Sequence, residues 1–251
     1  MNKTDTFFKN RIEDLKNMAF QRDIVMFTEF LDLHKLHMIH NLGKDFSGIA
    51  VETSGGYECA ERQMAAFIPD ALFYEWDYPI TCLKITKDTK KFQENLSHRD
   101  YLGAMVHLGV DRSVIGDILI RGEDAWFFCV DSMADFFVQE LVKVRHTAVH
   151  TQIAPQAETP LEPVREPVQA TVSSARLDAV AAAAFSSSRT KILPLIQGGK
   201  VYVNSILIVS NAYTLKEGDI VSVRGKGKFC FRQILSQTKK GKYRVLLERY
   251  Q

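Results

Sequence analysis

The groups in this chain best suited to chemistry are its cations. Arg189, Lys191 and Lys200 follow one another closely. Arg224-Gly225-Lys226-Gly227-Lys228 alternates cation with glycine, and Lys239, Lys240 and Lys242 crowd a short turn segment. Guanidinium and ammonium groups neutralise phosphate oxygens, and glycines between them let the backbone approach a nucleic-acid strand closely. Ser188 is placed to cap a helix starting at Arg189, whose N-terminal N–H groups and partial positive charge suit a phosphate. Asn204 adds a group able to hydrogen-bond a sugar or base edge. From Thr171 to Gln251 there are 14 Lys+Arg against 4 Asp+Glu; the whole chain has 32 against 30, so residues 1–170 hold 18 against 26. A net of +10 beside a net of −8 is the footprint of a polyanion-binding module joined to something else.

Three more arginines lie in the acidic part. Arg62, Arg99 and Arg112 form a second set of RNA-contact candidates, by phosphate pairing or stacking. The plainer reading of Arg99-Asp100 is local capping and pairing at a helix start. His98-Arg99-Asp100 has the letters of a kinase catalytic loop, but Met105 stands where the magnesium-holding Asn belongs and no glycine-rich nucleotide loop precedes it. His34, His37 and His40 are spaced by three, drift around a helix, and suit a polar edge better than a shared metal. Cys59, Cys82, Cys129 and Cys230 are scattered with no C-x-x-C pair, so no zinc site is expected. No paired carboxylates, nucleophile–base pair or phosphate loop stands out.

The elements that must position these residues are readable in outline. Phe8, Ile12, Leu15 and Ala19 predict a helix over 5–20, and Ile24, Phe27, Phe30 and Leu31 a second over 23–36. A strand is expected at 48–52, a helix at 58–64 and a strand at 80–86. A helix over 100–108 stops at Gly109. Strands at 118–120 and 126–130 follow, then a helix capped by Ser132 and running to Val144, then a strand at 148–153. The order from residue 80 is β-α-β-β-α-β, the ferredoxin-like split motif of many RNA-binding sheets. In the basic end, helices over 176–185 and 189–197 precede short β-branched runs at 201–204, 206–209, 220–223 and 243–247. Pro155, Pro160, Pro163 and Pro167, interleaved with Glu158, Glu162 and Glu166, read as a semi-rigid linker. No apolar run approaches the length of a bilayer span and no signal core follows Met1, so a cytoplasmic protein with no membrane insertion is expected.

The basic end resembles a known domain. Arg176-Leu177-Asp178, Ser188-Arg189, Leu195-Ile196, Gly199-Lys200-Val201, Val203-Asn204 and Gly218-Asp219 resemble, in this order, the RNA-binding domain first seen in small-subunit ribosomal protein S-four. The resemblance covers about the last third of the chain. It implies two helices on a small twisted sheet, with the helix after Ser188 contacting RNA. Ser205 departs from the Gly that commonly follows this turn. Further forward, Gly55-Gly56-Tyr57, Ala60-Glu61-Arg62, His98-Arg99-Asp100-Tyr101-Leu102-Gly103-Ala104, Leu108-Gly109-Val110 with Arg112, and Ile115-Gly116-Asp117-Ile118-Leu119 resemble the bacterial YlmH family. Membership implies a ribosome-associated protein touching large-subunit RNA and tRNA, with links to rescue of stalled nascent chains and to cell division.

The expected fold class is α+β, with a mainly helical domain over 1–76, a ferredoxin-like domain over 77–153, a Pro/Glu linker over 154–172 and the RNA-binding domain over 173–251. The expected function is a non-catalytic RNA binder on the large ribosomal subunit, with ribosomal RNA and tRNA as partners and neither cofactor nor metal. Arg176, Ser188, Arg189, Lys191, Lys200, Asn204, Arg224, Lys226 and Lys228 form the expected site. The alternatives are an RNA-modifying enzyme of the pseudouridine synthase type and a division-site adaptor with a protein partner. The single Arg-Leu-Asp lies inside the binding domain after Ala175, not in the Gly-Arg-Leu-Asp setting of those synthases.

Overall fold

The computed structural model describes residues 3–43, 46–58, 60–88, 95–155 and 164–250. The chain divides into two units, Met1–Glu162 and Pro163–Gln251.

In the first unit, α1 (Lys3–Arg22) buries Phe8, Ile12, Leu15 and Ala19, the stripe that its 3.6-residue periodicity marks. The expected helix over 23–36 does not form. Asp23 adopts a positive φ of 50°, Met26–Phe27 forms a short strand, β1, and helix α2 (Leu33–Leu42) starts ten residues later. The reason lies in Asp32, whose carboxylate accepts from the Lys35 N–H at 2.9 Å and so caps the helix there. Strand β2 (Ile49–Ser54) forms as expected. The expected helix over 58–64 is replaced by a turn leading into β3 (Met64–Pro69), the central strand of the sheet β1-β3-β2.

A second sheet follows. Strands β4 (Ile80–Lys87), β5 (Ile115–Arg121), β6 (Asp124–Val130), β7 (Lys143–Val144) and β8 (Thr147–Ile153) assemble in the order β5-β6-β4-β8-β7, with every pairing antiparallel. Without the short edge strand β7, this is the ferredoxin-like order. Helices α3 (His98–His107) and α4 (Ala134–Glu140) cover one face. Tyr101, Met105 and Phe137 pack there against Leu83, Ile85, Phe127 and Cys129. The helix expected from Ser132 to Val144 is shorter: Asp131–Met133 forms a 3-10 turn, α4 ends at Glu140, and β7 takes the residues beyond. On the opposite face Phe128 is buried with Phe30 and Met64, and its ring stacks on Tyr57 at 5.1 Å. The front elements therefore cover part of the face on which RNA-binding sheets of this topology stack bases.

The second unit holds β9 (Arg165–Val172), α5 (Leu177–Ala184), α6 (Arg189–Gln197), β10 (Val201–Val203), β11 (Ile206–Leu207), β12 (Ile220–Val223), β13 (Gly227–Gln237) and β14 (Tyr243–Tyr250), with sheet order β11-β10-β12-β13-β14-β9. Both helices pack on one face, where Leu177, Val180, Ile192 and Ile196 meet Val221, Val223, Phe229, Phe231, Val245 and Leu247. Alanines at 179 and 181–184 favour the helix and, being small, let α5 lie close to the sheet.

The Pro/Glu stretch needs correction at its end. Residues 156–163 lie outside the described residues, but Arg165–Val172 pairs along its full length with β14. It belongs to the sheet and not to a linker. Pro167 is tolerated because β9 is an edge strand, where a missing N–H costs no ladder bond. Among the described residues no helix is long and apolar enough to cross a membrane.

Candidate nucleic-acid interface

The site in the second unit is organised by one carboxylate. Asp178, in the first turn of α5, has a side chain only 3% exposed. Its Oδ1 accepts from Ala179 N–H at 3.0 Å and from Arg176 Nε at 3.2 Å, and its Oδ2 accepts from Arg189 Nη2 at 2.5 Å and Nε at 3.2 Å. The carboxylate thus ties the residue before α5 to the first residue of α6. Two cations share one anion, so a positive charge is left over. The two guanidiniums remain 39% and 47% exposed. Their donors are oriented before any ligand arrives, which reduces the ordering cost of binding. The entry to α5 is pinned as well: Leu177 N–H donates to Tyr213 O at 2.8 Å and Leu215 N–H to Ala175 O at 2.9 Å.

From this pair the interface runs along α6. Ser188 occupies the N-cap position, and its hydroxyl lies 2.8 Å from the Thr190 hydroxyl and makes no bond to the helix backbone. Arg189, Thr190 and Lys191 are exposed in the first turn. At 1.5 Å per residue the helix is roughly 13 Å long, and where the chain leaves it the second cation pair sits. Arg224 N–H donates to Lys200 O at 2.8 Å, which places Lys200 and Arg224 side by side at adjoining strand ends, both exposed. Lys226 is exposed in the following turn, where Gly225 and Gly227 take φ values of 82° and 117°. Such values suit glycine alone and leave a flat backbone beside the cations.

Two residues of the expected set are placed differently. Lys228 lies on the sheet face away from the helices, one residue before the core residue Phe229, with its ammonium 5.0 Å from the Tyr250 ring centre. Asn204 serves the fold. Its Oδ1 accepts from Ile220 N–H and its Nδ2 donates to Asp219, both at 2.9 Å. Val203 pairs with Ile206, so Asn204 and Ser205 form a two-residue hairpin loop, with φ values of 48° and 63°. That is the geometry of a type I′ turn, and Ser205 accepts a backbone conformation that glycine adopts more cheaply.

The front arginines divide. Arg62 points inward: its Nε donates to Ile115 O at 2.8 Å, and its Nη2 donates to Phe30 O and Arg112 O at 3.0 Å each. Arg112 Nη1 donates to Ile115 O at 2.5 Å and Gly116 O at 3.1 Å. Burial lowers the pKa of both. Arg112, also beside the Arg62 charge, is lowered to about 10. Asp117 completes this joint by accepting from Tyr57 Oη at 2.8 Å, Glu61 N–H at 2.6 Å and Arg62 N–H at 3.1 Å. The glycines are there for space. A Cβ on Gly55 would come within 2.4 Å of Arg62 O, and one on Gly56 or Gly116 would strike Phe128 or Phe30. Arg99 alone of the three is exposed, and its neighbour Asp100 closes a capping box with Ser97.

In the sequence, Asp178 stands out only as part of the Arg176-Leu177-Asp178 motif. It is the one acidic residue between Thr171 and Lys216, in a helix of alanines, and that isolation was the available signal. Asp117 and Asp219, which organise the front joint and the Asn204 turn, gave no comparable sign.

Comparisons with known proteins agree with this geometry. Residues 74–158 match a family described as "Putative RNA-binding domain in YlmH", and residues 175–221 match the S4 domain. The chain is therefore a two-unit protein carrying RNA-binding domains. It is 29% identical over 249 residues to the Ribosome-associated protein quality control protein P2 of Bacillus subtilis, covering 98% of this chain and 96% of the relative. It is also similar to the solved structure of the Cell division protein ylmH from Streptococcus pneumoniae, with a TM-score of 0.52, 25% identity, and coverage of 63% of this chain and 96% of the other. By its domain pair and these likenesses, the chain resembles the YlmH family over nearly its whole length.

Proposed function

We propose that this chain is a non-catalytic RNA-binding protein that works in the cytoplasm on the large ribosomal subunit, contacting ribosomal RNA and tRNA, in the rescue of stalled nascent chains. The observation that carries the reading is the buried Asp178 holding Arg176 and Arg189 outward at the start of α6, in line with Lys191, Lys200 and Arg224. The name of the Bacillus relative supports the ribosomal setting. A binder is favoured over an enzyme because the polar groups of the front motifs are used to hold the chain together: Asp117, Arg62 and Arg112 all bond inward. The test is co-sedimentation of the full chain with ribosomes. An Arg189→Ala/Lys200→Ala variant that folds normally should lose association at moderate salt. Unchanged sedimentation would remove this site from the account.

A second reading, as an adaptor for a division protein, draws on the front unit and on the name of the Streptococcus relative. Phe7 and Phe73 are 77% and 86% exposed, and Phe7 borders a groove of about 820 Å³ lined by Phe8, Phe27, Phe30, Leu31 and Met64. Exposed aromatics, one of them beside an apolar groove, suit a protein partner. A Phe7→Ser/Phe73→Ser variant separates the two: the adaptor reading expects loss of the partner with ribosome binding kept.

A further inference from the structure

Beyond residue 231 the second unit carries a structure of its own. Strand β12 pairs with β13 only from Gly227 to Cys230, whereas β14 accompanies β13 out to Gln237. The segment 232–237 is exposed throughout and runs past β12 as the free edge of a three-stranded extension, β13-β14-β9, from which only the 238–242 turn projects; its root is fixed by Ile234 N–H donating to Glu217 Oε1 at 2.7 Å. The extension ends in a built turn. Thr238 N–H donates to Lys242 O at 2.7 Å, Lys242 N–H donates to the Thr238 hydroxyl at 3.0 Å, and Gly241 takes a φ of 74°. The turn presents Lys239, Lys240 and Lys242, with Arg244 just behind, all exposed; among the described residues none of the four is in an ion pair. The S4 match stops at residue 221, so this extension lies outside it.

We infer that the β13–β14 tip is a second binding site for a nucleic-acid phosphodiester backbone, separate from the one around α6; this rests on the RNA-binding reading of the same unit. A lysine cluster on a loose loop would be a solvated surface. Here hydrogen bonds fix the backbone that carries the lysines, and among the described residues no carboxylate is paired with them, so counterions released on binding would favour a polyanion. The strand between the two cationic regions, Gly227–Gln237, spans on the order of 30 Å at about 3.3 Å per residue. That is too far for one phosphate cluster to serve both. The α6 surface and the tip would therefore grip separated stretches of one folded RNA, and the second contact would add affinity by holding the first in place.

The experiment uses the full chain and two RNA hairpins. One has about 8 base pairs and the other about 24, below and above the roughly 16 that a domain bridging successive minor grooves occupies. A Lys239→Ala/Lys240→Ala/Lys242→Ala variant should bind the long hairpin roughly 10-fold more weakly, with a salt slope shallower by about 2 to 3, and bind the short one within twofold of the parent. A Lys→Arg triple variant should restore long-hairpin binding. If the alanine variant matches the parent on the long hairpin while Arg189→Ala/Lys200→Ala is weakened, the tip assignment falls and the α6 site stands. If neither variant is weakened, the RNA-binding reading falls as well. If the tip variant binds both hairpins normally yet loses large ribosomal subunits, the tip contacts protein and the inference is overturned.

Discussion

Two pairs of arginines in this chain are alike in sequence and opposite in structure. Arg62 and Arg112 sit in glycine-rich motifs of the first unit, and every bond their guanidiniums make is to a backbone carbonyl inside the fold. Arg176 and Arg189 share one buried carboxylate and keep their outer edges in water. The guanidinium's partner decides the outcome. Neutral carbonyls leave a full charge inside the protein, which is tolerable only as a fixed brace, and burial lowers the pKa of both braces accordingly. A carboxylate shared by two guanidiniums fixes their direction while leaving donors and net charge for a ligand. Motif membership therefore does not identify a binding residue.

The sharpest way to break this comparison is to remove a brace. Arg62→Ala strips partners from three carbonyls and should cost the first unit about 3 kcal/mol, seen as a melting transition lower by roughly 6–12 °C, with RNA-hairpin affinity unchanged. A stable Arg62→Ala protein with impaired RNA binding would reverse the assignment. Gly56→Ala tests the same joint from the packing side. A Cβ there would lie 2.6 Å from the Phe128 ring, at a φ of 88°, so a loss of about 2–4 kcal/mol is expected in denaturant unfolding; a neutral result would mean the joint is loose. Arg189→Ala sharpens the other half. Asp178 keeps Arg176 and the Ala179 N–H as partners, so stability should change by less than about 1 kcal/mol while RNA affinity drops roughly 5- to 10-fold, as for the loss of one charge-assisted contact. The smallest effect belongs to the Asn204–Ser205 turn. Ser205→Gly relieves a positive φ and should raise stability by about 0.5–1 kcal/mol with RNA binding untouched. Destabilisation there would show that the serine side chain supports the turn.

Much of the second unit was legible because its signals are local. Ser188 before Arg189, Gly198-Gly199 after the helix, and the glycines around Lys226 mark boundaries by backbone chemistry, and the structure keeps them. Where partners are distant in sequence, the reading failed. Pro167 looks like linker until its edge position beside Glu248 is known. Ile24, Phe27, Phe30 and Leu31 look helical because residues 26–31 are held by contacts with residues 63–67, which no window of that length contains. The same limit applied to the site. Six outward cations could be proposed from charge, but the position of Lys228 over Tyr250 and the structural use of Asn204 depend on strand parity and on Asp219, fifteen residues on from the asparagine.

The most direct measurement is the salt dependence of binding between the full chain and a short ribosomal-RNA hairpin. Arg176, Arg189, Lys191, Lys200, Arg224 and Lys226 acting together should give a slope of log K against log salt of roughly −4 to −5, falling by nearly 2 in Arg189→Ala/Lys200→Ala. A slope near zero, or one that the double substitution leaves unmoved, would contradict a cationic surface built around Asp178.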